Sequence, residues 1–79
     1  MTNREKYNKT FIDCFLVTED MLNKDFVYQC IQAWDSVGHM TLVAVLEDRF
    51  DIMLDTDDII DMSSVAKAKE ILKKYEVTL

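Results

Sequence analysis

The chain has 79 residues, a formal net charge of −6, 49% hydrophobic residues and 30% charged ones. That length makes one domain, spanning 1–79, with no room for a second core, and the balance of apolar and charged residues excludes a disordered or fibrous chain. No apolar run approaches the ~20 residues of a membrane span and the opening Met1-Thr2-Asn3-Arg4-Glu5-Lys6 has no signal-peptide core, so the expectation is a cytoplasmic protein without membrane insertion.

With no proline and Gly38 as the single glycine, the chain has almost no strong breakers, and no segment alternates cleanly enough to predict a strand. A first helix is predicted from about Asn3 or Arg4 to Leu16, with Tyr7, Phe11, Cys14 and Phe15 on one face. Thr18 to Trp34 reads as a long connection anchored by Met21, Leu22, Phe26, Val27, Tyr28 and Ile31. A loop of that length in a small domain has to be pinned to the core or functional; a helical turn is expected around Phe26 to Ala33. The second helix should run from Ser36 to about Phe50, its buried stripe being Leu42, Leu46 and Phe50 at four-residue spacing. A third piece, Asp57 to Met62, is too short to stand alone and must be held by burying Ile59, Ile60 or Met62. The last helix opens on Ser63 or Ser64 as N-cap and runs to about Tyr75, with Val65, Ala68, Ile71, Leu72 and Tyr75 inward and Lys73 and Lys74 in the final turn, where cations suit the helix dipole. The predicted fold class is all-α, a small four-helix bundle with a long first loop and a short third helix.

Charge is unevenly placed. Residues 35–61 hold eight acids against Arg49 alone, a net −7, whereas 1–34 carry −1 and 62–79 carry +2. So acidic a segment repels nucleic acid and anionic membranes and draws basic surfaces of partner proteins. Its aspartates do not make a calcium loop, because the EF-hand needs a central glycine and a closing glutamate; no metal site is predicted. Cys14 and Cys30 are too far apart for a Cys-x-x-Cys motif and are expected to be buried, reduced thiols.

The most informative run is Asp35-Ser36-Val37, which puts a hydroxyl on the first turn of the second helix directly after a carboxylate. Asp35 is the natural N-cap and Ser36 the first helical residue, at the positive end of the helix, where an anion is favoured. His39 follows three residues on. A Ser–His hydrolase would also need a nucleophile elbow or an oxyanion-hole loop, and neither Gly-x-Ser-x-Gly nor such a loop is present. No catalytic residue is predicted, and His39 is expected to be an exposed first-turn side chain.

From Asp35 to Val65 the chain resembles the acyl carrier protein family without a gap. Asp35-Ser36-Val37 is similar to its attachment motif, Leu42, Leu46 and Phe50 to its buried stripe, Asp57-Asp58-Ile59 to its short third helix, and Ser63-Ser64-Val65 to the start of its last helix. The resemblance implies a carrier without intrinsic catalysis, bearing covalent 4′-phosphopantetheine on Ser36 and holding acyl intermediates as thioesters, with Asp35 part of the attachment site. It implies partner contacts at Val37, Met40, Val43, Glu47 and Asp48, and as partners a phosphopantetheinyl transferase, an acyl- or aminoacyl-loading enzyme and downstream transferases, met by a monomer. Trp34-Asp35-Ser36 followed by Gly38 also resembles the D-alanyl carrier proteins, and Thr41 stands where fatty-acid carriers commonly have an acid. Three readings follow: an acyl carrier of a specialised biosynthetic pathway, a D-alanyl or aminoacyl carrier, and an unmodified helical docking module.

Overall fold

The computed structural model describes residues 2–79 and has four helices and no strand among them: α1 Asn3–Phe15, α2 Ser36–Phe50, α3 Thr56–Asp61 and α4 Val65–Lys74. A short 3-10 turn, Glu19–Met21, lies in the first loop. No helix of the described residues is long and apolar enough to cross a membrane. The radius of gyration is 11.3 Å, close to the ~11.6 Å of a folded chain this long.

Side-chain caps start three of the helices. Thr2 Oγ1 accepts the Glu5 N–H and Glu5 Oε1 accepts the Thr2 N–H, a reciprocal capping box that holds the Glu5 carboxyl below its usual range. Asp35 caps α2, and Ser64 caps α4 by accepting from the Lys67 N–H. With the lone glycine elsewhere, α1 and α2 stop on Leu16 and Asp51 in the left-handed region, φ 55° and 53°, a conformation unfavourable for L-residues and tolerated here as single residues.

The first loop is pinned rather than helical. Phe26 and Trp34 are buried against Phe11 and Phe15 of α1, with Trp34 stacked on Phe15 at 5.2 Å and edge-on to Phe11 at 5.8 Å. Its backbone pairs with the α3–α4 junction: the Tyr28 N–H donates to Ser63 O at 2.7 Å and the Val65 N–H to Phe26 O at 3.1 Å. The helical turn expected at Phe26 to Ala33 is therefore replaced by turns and an antiparallel bridge, and Met21 and Val27, expected as anchors, are exposed. The burial expected of the cysteines fails for Cys30, exposed on this loop, and holds in part for Cys14, which is half-buried against the core, burial pushing its thiol up; both thiols are free.

Met62, fully buried, anchors the end of α3, while Ile60 points outward and Ile59 is half-buried. A polar tie to α4 does the rest. The buried Asp58 carboxylate accepts from Lys74 Nζ and, at 2.5 Å, from the Tyr75 hydroxyl, which in turn accepts the Asp55 N–H at 3.0 Å. Lys74 first, then Tyr75, holds Asp58 below the usual carboxylate range, and the same contact raises Lys74. A lowered folded pKa gives stability that is complete above the unfolded value of ~4 and is lost as pH falls through the folded value. The urea midpoint is accordingly expected to drop as pH goes below ~4, and Asp58→Asn should have a lower midpoint at neutral pH and a flatter acid dependence. An Asp58→Asn profile parallel to the native one would contradict this tie.

Candidate functional site

Helix α2 turns Ser36 to the border between core and solvent. Leu42, Val43 and Leu46 face inward, whereas Val37 and Met40 are 74% and 55% exposed, with Thr41, Ala44 and Asp48 also outward. At 3.6 residues per turn, Ser36, Met40, Val43 and Glu47 run along one edge between these faces. Two partner-facing expectations are corrected along that edge. Val43 is only 2% exposed and belongs to the core, because α2 is covered over a wider arc than a single stripe. Glu47 is half-buried, and its Oε2 accepts the Leu54 N–H at 2.8 Å, closing the loop after α2 rather than presenting a free charge. Asp48 is exposed, as expected.

Asp35 Oδ1 accepts the Gly38 N–H at 2.8 Å and Asp35 O accepts the His39 N–H at 2.8 Å. The Ser36 and Val37 N–H groups have no acceptor among the described residues, so the first turn retains its unsatisfied positive end beside the exposed Ser36 hydroxyl. That hydroxyl itself makes no hydrogen bond within the described residues.

Gly38 is required sterically. A Cβ at this position would lie 2.0 Å from the Ala33 carbonyl oxygen and 3.4 Å from the Phe15 ring. An alanine in a helix ordinarily gains ~0.5–1 kcal/mol over glycine. Here Gly38→Ala must displace the backbone before Trp34, and we expect a net loss of ~1–3 kcal/mol in urea unfolding; a stabilised variant would show that the approach is not close.

His39 is not the exposed side chain anticipated. Trp34 Nε1 donates to its Nδ1 at 3.0 Å, which leaves the proton on Nε2 to donate to Ile59 O at 2.8 Å. The imidazole thus clamps the start of α2 to α3, nearly coplanar with the Trp34 ring and edge to edge with it, the centroids 6.3 Å apart and the planes 15° from parallel. Both nitrogens are engaged, and neither is left to activate Ser36.

The clamp forms one wall of a cavity of about 320 Å3 opening beside Ser36, with Tyr28, Met40, Ile59, Ile60 and Met62 supplying its apolar surface and Ser63 at its margin. Sequence reasoning singled out Ser36 and Met40 but missed the others, which come from the first loop, α3 and the α3–α4 junction. The one legible signal was Ile60, an apolar residue within the acidic run Asp57 to Asp61 that emerges 72% exposed.

Six of the eight acids of residues 35–61 are exposed (Asp35, Asp48, Asp51, Asp55, Asp57 and Asp61), while Glu47 and Asp58 turn inward. Arg49 does not dilute this surface: it reaches across to α1, Nη2 2.9 Å from Asp13 Oδ2 and Nη1 donating to Thr10 Oγ1 at 3.1 Å. No three His, Cys, Asp or Glu side chains converge in a metal-binding group among the described residues. Comparisons of the chain with protein-family models, with curated proteins and with solved structures find no match.

Proposed function

We propose that the chain is a discrete acyl carrier protein, carrying 4′-phosphopantetheine on Ser36 and passing acyl groups between enzymes. One observation carries the reading: an exposed, unpartnered serine hydroxyl on the first turn of a capped helix, at the mouth of an apolar cavity. The residues fit the group. A phosphodiester on Ser36 meets the free N–H groups and dipole of α2, and the cavity gives an attached chain somewhere apolar to lie. Bound there, phosphopantetheine supplies a terminal thiol that holds an acyl group as a thioester.

In the modification step, Ser36 Oγ attacks the phosphorus that carries the pantetheine of coenzyme A. The new Oγ–P bond replaces the bond to the second phosphate, adenosine 3′,5′-bisphosphate leaves, and the hydroxyl proton passes to a base on the transferase, since His39 has no free nitrogen. Docking falls to the surface around Ser36, where Val37, Met40 and Ile60 are exposed, with the six exposed carboxylates of residues 35–61 spread from the start of α2 to the end of α3. Exposed ion pairs are worth only ~0–1 kcal/mol each, so contacts with basic enzymes are collective, salt-sensitive and quickly broken, as a shuttle requires.

The same exposed apolar residues favour a second reading, an unmodified docking module that binds its partner whatever stands at position 36. Intact-protein mass after incubation with coenzyme A and a phosphopantetheinyl transferase of broad specificity separates the two. Gain of one phosphopantetheine supports the carrier, whereas an unchanged mass together with partner binding by the unmodified chain supports the module.

A further inference from the structure

We infer that the molecule has a second docking face, where α4 meets the first loop and the start of α1, and that this face takes an acidic segment of a partner protein bearing an apolar side chain. It does not depend on the carrier reading, because no residue of the face lines the cavity beside Ser36.

The pairing of the cations carries the inference. The chain has nine Lys and Arg against fifteen Asp and Glu, so partners for every cation are in excess. Lys9, Arg49, Lys67 and Lys74 each pair with a carboxylate. Lys6 Nζ donates to Arg49 O at 3.1 Å and lies over the Phe50 ring. The remaining four, Arg4, Lys24, Lys69 and Lys73, have no carboxylate partner among the described residues, and these same four line two adjoining grooves. The first groove, about 370 Å3, sets Lys24, Lys69 and Lys73 around Leu22, Val65 and Ala66. The second, about 270 Å3, shares Lys69 and Lys73 and adds Arg4. Glu70 is the one carboxylate side chain in either lining, and it is held 3.9 Å from Lys67 Nζ.

The needs of the fold do not account for the gathering. Lys73 suits the last turn of α4, and Lys69 Nζ rests over the Tyr7 ring at 5.8 Å. Arg4, however, stands in the first turn of α1, the end of the dipole that disfavours a cation, and Lys24 lies on no helix. Four like charges brought together repel one another until an anion arrives.

The surroundings select among anions. None of the large exposed apolar side chains lines either groove, so a flat anionic membrane finds nothing here to insert. A long polyanion such as RNA would run on toward the exposed acids of residues 35–61. A second copy brings carboxylates, but two chains of net charge −6 repel, and such a head-to-tail contact does not close on itself. A short acidic segment meets the four cations without these costs, and an apolar side chain on it covers Leu22 and Val65. The face is opposite in sign to the surface around Ser36, so one enzyme surface cannot serve both and two partners can be held together.

The test titrates the native chain, at low salt, into a fluorescent helical peptide in which a leucine is flanked by glutamates. Saturable binding is expected, about tenfold weaker for the double variant Lys24→Glu with Lys73→Glu, both at exposed positions. The neutral pair Lys24→Gln with Lys73→Gln should lose about threefold, which keeps the test open if charge reversal disturbs the fold. Lys9→Glu makes the same change of charge outside the grooves and should alter binding less than about twofold. Serine in place of the peptide's leucine should weaken it about threefold. In amide NMR spectra the peptide should shift residues 22–24 and 66–73 and leave Gly38, the single glycine and so an unambiguous marker of the start of α2, in place. Absence of saturable binding, an equal loss in Lys9→Glu, indifference to the leucine, or shifts centred on Gly38 overturns the inference. So does tighter binding to phosphatidylglycerol vesicles or to RNA, or a dimer in sedimentation that the double variant dissolves.

Discussion

Ser36→Ala is expected to gain no phosphopantetheine under conditions where the native chain is fully modified, and to unfold at an unchanged urea midpoint. The two halves have separate causes. The hydroxyl is the proposed attachment point, so its removal leaves nothing to attack coenzyme A. Structurally the same hydroxyl is exposed and makes no hydrogen bond within the described residues, and substitutions of that kind stay within ~0.5 kcal/mol. Asp35→Ala supplies the contrast, because it removes the acceptor of the Gly38 N–H and should cost ~0.5–2 kcal/mol as a lost N-cap. Equal mass gain in Ser36→Ala would move the attachment site elsewhere. A large loss of stability would mean that the serine is structural, against its geometry.

Trp34→Ala is expected to be the most damaging single substitution, leaving a substantial fraction of the chain unfolded at neutral pH. Trp34 is fully buried among Phe11, Phe15 and Phe26, and its indole N–H is the donor to His39. Truncating a buried aromatic to alanine costs ~3–5 kcal/mol, against a total of ~4–12 kcal/mol for a folded chain of this length. Losing the donor also frees His39 and slackens its hold on α3, so the cavity should suffer along with the core. Trp34→Phe keeps a ring in the aromatic cluster but not the N–H, and should lie between the two. Circular dichroism in urea measures all three chains, since the only tryptophan is the residue replaced. A Trp34→Ala loss below ~1 kcal/mol would contradict the aromatic cluster as the centre of the core.

What the sequence by itself determined is what local interactions control. The limits of α1, α2 and α4, the Asp35 cap with Ser36 as first helical residue, and Ser64 as a start signal were all legible, because caps and i→i+4 spacing act within one or two turns. Only the tertiary structure decided the rest. Periodicity names a buried stripe but not how wide an arc the neighbouring helices cover, which is why Val43 proved to be core and Glu47 a loop clasp. The path of the first loop depended on Phe26 and Trp34 reaching α1 and on pairing between residues 26–28 and 63–65, contacts that no local signal encodes. His39 could be placed in the first turn of α2, but its clamp needed Trp34 on one side and Ile59, from a different helix, on the other. The cavity beside Ser36 belongs to no segment. Tyr28, Met40, Ile60 and Ser63 meet there only because packing brings together backbone that is far apart in the chain, and burial of apolar surface, the force that assembles them, is non-directional and leaves no mark at a fixed spacing in the sequence.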